Sequence, residues 1–293
     1  MKPDATAMYT MPADTRPRDW MRRSTIEGFA MLVVGAGSGM GAACARAIAA
    51  NGGRVALADL HLDHAQSVAT EIVADGGDAF AIKMDVASDQ DCHEAVAQVV
   101  STYGRLDALI NTATWSKNRM LESVQMDEWR EAFQTNVHGP LELARACLPH
   151  LRNSPSPSIV HVASLAGVNG FARHSAYGPT KGALITMSRQ MALEWAVDGI
   201  RVNVVIPGTI DSPLAQKMQP AAVRAERFRQ IPLGRLGHAS EMADLALFLA
   251  SPAASFITGQ VIHCCGGFSI NTFVVPSGMT ETLQEARNRG HAV

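Results

Sequence analysis

Ser164 closes a short apolar run, and Tyr177 and Lys181 follow it at an i, i+4 spacing. On a helix those last two share a face and point into one site. A phenol in water titrates near ~10, too weak a base at neutral pH, and a neighbouring ammonium favours the phenolate and lowers that value. Tyr177 therefore reads as a general acid/base with Lys181 as its partner, and Ser164 as the group that holds a substrate oxygen beside the phenol. A Tyr–Lys pair at this spacing also arises by chance on helix surfaces. What gives this one weight is what precedes it.

Upstream, VVGAGSGMGAA follows the apolar run MLVV and leads into the small-residue stretch ACARAIAANG, a strand, a glycine turn and a helix. The dinucleotide fingerprint GxGxxG fails here, because Met40 stands where its third glycine belongs. The pattern GxxxGxG fits on Gly35, Gly39 and Gly41. Glycines let backbone approach a pyrophosphate, and the N–H groups opening the helix face the anion, with Ser38 and Met40 inside the turn. The next strand ends in Asp59, at the distance expected for a carboxylate accepting hydrogen bonds from adenosine ribose hydroxyls. That carboxylate repels a 2′-phosphate, and neither Ala36, Gly37 and Ser38 nor Leu60 and His61 offers a cation for one, so the cofactor read is NAD rather than NADP. Asp85 and Val86, closing the third strand, are placed to contact adenine. With a nicotinamide cofactor in place, Lys181 would also bind its ribose, and Asn136 would position a water between Lys181 and solvent.

These residues need elements that bring them together. RVALAD, DAFAIKMD, LDALINTA, SIVHVAS, IRVNVVIP and a run around GQVIHC join MLVV as seven strands. Between them fall helices over about 64–77, 88–103, 127–151, 175–197 and 240–250. Near-continuous apolar strands alternating with helices predict an α/β fold, a single doubly wound Rossmann-type domain whose seven-stranded parallel sheet carries helices on both faces. Ligands then bind at the carboxyl ends of the strands. The domain spans 25–267, with residues 1–24 as a flexible polar tail, 211–235 as a lid and 268–293 as an extension.

The chain has 293 residues, a formal net charge of −2 and five scattered cysteines. That balance offers no basic stripe for nucleic acid, and the cysteines lack the pairing of a disulfide framework or a zinc site, so no metal is expected. No apolar run is long enough to span a membrane, and the N-terminus lacks a signal-like core, which points to the cytoplasm.

The ordered set Gly35, Gly39, Gly41, Asp59, Asp85, Asn111-Thr112-Ala113, Asn136, Ser164, Tyr177 and Lys181, with PGTIDSP around Pro207 and Gly208, resembles the short-chain dehydrogenase/reductase family from about Met31 to Gly267. The resemblance implies the fold, the nicotinamide cofactor, and a catalytic tetrad of Asn136, Ser164, Tyr177 and Lys181. It also implies that Ile210 and Ser212 contact the carboxamide, and that the protein is a homo-oligomer, a tetramer built on the helices containing Asn136 and Tyr177. Three departures stand out: Val34 replaces a usual threonine, Thr114 a usual glycine, and Cys264-Cys265 a usual Val-Asp. The substrate pocket is expected from Thr114, Trp115, Ser164, Leu165, Ala166, Phe171, Thr209 and Met218, whose apolar members fit an apolar or cyclic substrate. The leading expectation is NAD-dependent interconversion of a small secondary alcohol and a ketone. The alternatives are an NADP-dependent ketoreductase, including the 3-oxoacyl type, and a catalytically silent NAD-binding sensor or scaffold. In the lid, Lys217, Arg224, Arg227, Arg229 and Arg235 read either as attraction for an anionic substrate or, the favoured reading, as a solvated face.

Overall fold

A computed structural model describes residues 19–211 and 230–271. The strands are β1 (Ala30–Val34), β2 (Arg54–Asp59), β3 (Asp78–Lys83), β4 (Ala108–Asn111), β5 (Ser158–Val162), β6 (Arg201–Pro207) and β7 (Val261–Cys264). All are parallel, in the order β3-β2-β1-β4-β5-β6-β7. The central strands β1 and β5 are buried along their whole length, whereas the edge strands β3 and β7 are only partly covered. This is the pattern of a sheet sandwiched between helices, and the order reverses between β1 and β4, which places a crevice at their carboxyl ends.

The helices are α1 (Trp20–Ser24), α2 (Gly39–Ala50), α3 (Leu62–Ala74), α4 (Asp89–Tyr103), α5 (Met126–Phe133), α6 (Gly139–Leu151), α7 (Tyr177–Glu194) and α8 (Ala239–Ala250). One core layer joins α4, α6 and α7 to the sheet, and the other joins α2, α3 and α8 to its opposite face. Local chemistry sets their ends. In α4 the Ser88 hydroxyl accepts from the Asp91 N–H, Asp89 and Asp91 sit at the positive end of the helix dipole, and Gly104 closes the helix at φ 73°.

Two expectations shift. Within the polar N-terminal tail, residues 20–24 form helix α1, capped by Asp19, and Trp20 stacks near Phe248 of α8 with ring centroids 6.0 Å apart. The single helix expected over 127–151 is divided by a π-helical turn at Gln134–His138. Its cause is Gly139-Pro140: Pro140 has no N–H with which to close the ordinary bond onto the Asn136 carbonyl. Gly139 also lies so close to β3's exit loop that a Cβ there would meet the Val86 carbonyl at 2.0 Å.

Asp107, fully buried, ties three strands together at the opposite end of the sheet from the crevice. Its carboxylate accepts from the Ala30 N–H at 2.9 Å, from the Ser154 hydroxyl at 2.6 Å, and from two Arg105 N–H groups at 2.7 Å each. Asp107→Ala strands these donors, so an expected loss of about 3 kcal/mol, or roughly 10 °C in Tm, follows. Thermal and urea unfolding of the variant check it, with cofactor affinity at low temperature unchanged.

Candidate active site

The glycine turn after β1 lies at the carboxyl edge of the sheet. Gly35 takes φ +75°, and a Cβ on it would come within 2.8 Å of Thr112 Oγ1. Gly41 is tighter still: a Cβ there would meet the Gly35 carbonyl at 2.1 Å, so α2 can dock on the turn only through glycine. Ser38 opens α2 in an extended conformation and its side chain makes no capping bond, which leaves the first-turn N–H groups of Gly39, Met40 and Gly41 without a side-chain acceptor. Across the turn, Asp59 Oδ2 accepts from the Gly37 N–H at 2.8 Å and Oδ1 from the His61 N–H at 2.9 Å. Each oxygen keeps a further lone pair, and Asp59 is part-exposed. Leu60 beside it is exposed. An anion-receptive helix end next to a ribose-sized carboxylate fits a dinucleotide.

The missing threonine at position 34 is compensated from the other strand. Thr112, just past β4, donates its hydroxyl to the Val34 carbonyl at 2.8 Å, and its own N–H bonds the same carbonyl at 2.9 Å. The hydroxyl that ties the turn to the fourth strand has thus moved to the neighbour. Thr112→Val is expected to lower stability by about 1 kcal/mol and to weaken cofactor binding. Adding Val34→Thr in the same chain should recover part of both, a coupling that a double-mutant cycle by urea unfolding and calorimetry would read.

Further along the edge, Asp85 Oδ1 accepts from the Ala87 N–H, and the Val86 side chain is buried in the core, so only backbone of Val86 faces the crevice edge. Asn111 is buried and caps its own turn by accepting from the Ala113 N–H at 3.1 Å. After β6, the Gly208 N–H bonds the Cys264 carbonyl, and Ile210 bridges to Gly237. Pro207 ends β6 opposite Cys264. Ser212 and Met218, with Lys217, Arg224, Arg227 and Arg229 of the expected lid, lie outside the described residues.

Tyr177, Ser164, Lys181 and Asn136 converge at the end of β5. Ser164 accepts from the Ala166 N–H at 3.1 Å, which fixes its Oγ and leaves its proton to donate. The Ser164 and Thr114 side chains stand beside the Tyr177 hydroxyl. Burial pushes the phenol above its ordinary value, and these two neighbours act in the opposite direction. The Lys181 ammonium sits 5.8 Å from the Tyr177 ring centroid, donates to the Val162 carbonyl at 2.9 Å, and is itself disfavoured by burial, which pushes it down to about 7. Pro179 falls in the first turn of α7, as its missing N–H requires.

The Asn136 side chain is fully buried and occupied: Nδ2 donates to the Trp115 carbonyl and to Thr180 Oγ1, and Oδ1 accepts from the Trp115 N–H at 2.7 Å. Thr180, which no motif singles out, links the π turn to α7 by donating on to the Tyr177 carbonyl. The amide thus holds structure, and the group left for a water is the Asn136 carbonyl that Pro140 cannot bond.

The pocket expectations divide. Trp115 is a wall rather than a lining: both its backbone groups are held by Asn136, and its ring packs with Ala132 and Ala176. Leu165 and Ala166 are buried as well, Leu165 against Leu184 and Ile185. Thr114 is exposed at Tyr177, and Phe171 stacks on His174 at 5.5 Å, which stacks on Tyr177 at 6.1 Å. A strap of Arg173 and Ser175, both at positive φ, is fastened to Arg119 by two backbone bonds beside this aromatic row. Thr209 instead lines a cavity of about 250 Å³ with Gly208, Ile231, Arg235, His263 and Cys264, which Ser164, Tyr177 and Lys181 do not border. Arg235 there is committed to a two-pronged bond with Glu241. All five cysteines are free thiols, and Cys264 ends an edge strand rather than a buried one. Among the described residues no His, Cys, Asp and Glu cluster could hold a metal, and no helix is long and apolar enough to cross a membrane.

A doubly wound sheet with a glycine turn at the switch point and a Ser–Tyr–Lys group beside it defines a dinucleotide-fold protein of the oxidoreductase kind. Residues 35–269 match the family model described as enoyl-(acyl carrier protein) reductase, and the chain belongs to the short-chain dehydrogenase/reductase family. It is 35% identical over 245 residues to 2,5-dichloro-2,5-cyclohexadiene-1,4-diol dehydrogenase LinX of Sphingobium indicum, covering 84% of this chain and 98% of that one. It is 33% identical over 245 residues to the 3-oxoacyl-(acyl-carrier-protein) reductase FabG of Thermotoga maritima, covering 84% and 99%. The solved 7α-hydroxysteroid dehydrogenase, complexed with NADH and 7-oxo glycochenodeoxycholic acid, superposes with a TM-score of 0.81 at 29% identity, covering 84% of this chain and 96% of that one.

Proposed function

We propose that this protein is an NAD-dependent dehydrogenase that interconverts a cyclic secondary alcohol and its ketone. The observation that carries the reading is the Tyr177 phenol beside Ser164 and Thr114 at the end of β5, with Lys181 on the same helix face. The Gly35–Gly41 turn would hold the pyrophosphate, Asp59 the adenosine ribose, and the ends of β3, β4 and β6 the remaining rings. When bound, the nicotinamide exchanges a hydride at C4 and, oxidised, brings a positive charge that favours the Tyr177 phenolate.

The chain's own groups do the rest. Ser164 donates to the substrate oxygen and orients the carbinol carbon. Tyr177 removes the hydroxyl proton in oxidation and returns it in reduction. Lys181 stabilises the phenolate and binds the nicotinamide ribose, while a water on the Asn136 carbonyl passes the proton to solvent. Asp59 supports NAD because no cation stands near it in the turn for a 2′-phosphate. The cyclic-substrate reading rests on the aromatic row Phe171, His174 and Tyr177, and on two relatives whose names specify ring alcohols. The likeness to a 3-oxoacyl reductase keeps an NADP-dependent ketoreductase as the second reading. Assembly as a homotetramer through α5–α6 and α7, in the cytoplasm, completes the proposal.

The test is a panel of cyclic and linear secondary alcohols offered with NAD and, separately, NADP, followed by absorbance of the reduced cofactor. Turnover of ring alcohols with NAD is the expected result. Turnover only with NADP and 3-oxoacyl thioesters would transfer the assignment to the second reading, and binding of NAD without turnover of any alcohol or ketone would leave a sensor.

A further inference from the structure

His161 stands in β5, paired in register with Asn111 of β4 and close to the Val204 strand on its other side. By the two-residue alternation of a strand it shares the face of Ile159, which packs with α4, α6 and α7. Its imidazole is completely buried, and neither Nδ1 nor Nε2 has a hydrogen-bond partner. Such an orphaned ring is rare, because an interior polar group without a partner is costly. Lys181, 1% exposed, reaches this same layer and donates to the carbonyl of Val162, the residue next to His161. An ammonium has three protons to donate, and one of Lys181's is taken by Val162.

The two groups are complementary, one short of acceptors and the other carrying an unused one. Burial and the charge of Lys181 both oppose protonation of His161, which is pushed down to about 3, so it remains a neutral ring with one acceptor nitrogen. The other titratable groups on this layer are neutral too: α4 brings Cys92 and, at its far end, Tyr103, α6 brings Cys147, and burial pushes all three up. From α7 come Lys181 and Tyr177, and from the π turn and β4 the uncharged amides of Asn136 and Asn111.

We propose that His161 is a positioning residue for Lys181, accepting one of its N–H protons through an interior water and so keeping the ammonium charged beside Tyr177. The ring nitrogen and the ammonium supply two of the polar partners that a buried water needs. This rests on the dehydrogenase reading above, since its consequence is felt when the Tyr177 phenolate forms.

The experiment compares the parent with His161→Leu, which fills the site without an acceptor, and His161→Asn, which keeps one. In the pH profile of alcohol oxidation, the Leu variant should have its rising limb displaced by about one unit to higher pH. At a fixed pH on that limb it would be about tenfold slower than the parent, the curves merging at high pH, and Asn should restore most of the displacement. Side-chain NMR of the chain without cofactor gives a second readout: the Lys181 ε-methylene titration should fall in the Leu variant. In the parent, His161 should stay neutral from pH 5 to 8 with its bare nitrogen shifted by a hydrogen bond. A Leu variant whose pH profile and Lys181 titration superpose on the parent's, with only its melting point lowered, overturns the proposal. So does a parent His161 that titrates in that range or shows a free nitrogen, a measurement that stands even if the Leu variant does not fold. If the parent oxidises no alcohol, the functional reading fails, and the Lys181 titration still decides the role of His161.

Discussion

Tyr177→Phe is expected to lower kcat for alcohol oxidation by about 10³-fold while leaving NAD affinity and melting temperature close to those of the parent. The ring packs as before, because its stacking on His174 needs no hydroxyl. What disappears is the hydroxyl proposed to carry the proton, which stands beside Ser164 and Thr114. The sign of the pH dependence follows from the same group. Oxidation needs the phenolate, so its rate rises with pH until the phenol is ionised. Reduction needs the phenol, so its rate falls over the same span. Burial pushes Tyr177 up, which places the oxidation limb toward alkaline pH, and in Tyr177→Phe that limb should vanish from whatever residual rate survives. Stopped-flow hydride transfer with a confirmed substrate is the measurement. A variant as fast as the parent would remove Tyr177 from the chemistry and with it the proposed mechanism.

Much of this arrangement was legible because periodicity and punctuation are local signals. Strand β2 coincides residue for residue with RVALAD, and the glycine turn is recognisable from its spacing although Met40 breaks the common fingerprint. Tyr177 and Lys181 could be placed on one face because four residues is a helical turn. What escaped was set by contacts distant in sequence. The tie between Thr112 and the Val34 carbonyl spans 78 positions, so the sequence alone shows the missing hydroxyl at Val34 but not the one that Thr112 supplies across the strands. The division of the helix at Gln134–His138 follows from Pro140, whose position was visible; its effect on Asn136 depended on Gly139 meeting Val86. Trp115 looked like a pocket residue by type and place, yet Asn136 fastens its backbone and turns it into a wall. Nothing local marks His161, since one histidine in a strand gives no periodic signal. Its significance appears only when Lys181, twenty residues on, folds back across it.

Asp59→Ala should invert the cofactor preference more than it weakens the protein. In the proposed binding mode the carboxylate stands where a 2′-phosphate would sit, and two unit charges about 4 Å apart near a surface repel by about 4 kcal/mol. Removing it should raise NADP affinity by at least about tenfold, while loss of charge-assisted bonds to the ribose should reduce NAD affinity by about 10- to 100-fold. The substitution has a second effect that must be separated from the first, because Asp59 also accepts the Gly37 and His61 N–H groups and so shapes the turn. Asp59→Asn separates them: its amide oxygen can still take one of those N–H bonds, but it carries no charge to repel a phosphate. If charge governs the choice, Asn and Ala variants gain NADP affinity alike, and Asn retains more of the NAD affinity. If turn shape governs it, Ala loses both cofactors together and Asn changes little. Calorimetric titration with NAD and NADP distinguishes the outcomes without any knowledge of the substrate. A parent that binds both cofactors equally would mean that Asp59 serves the turn and not the ribose.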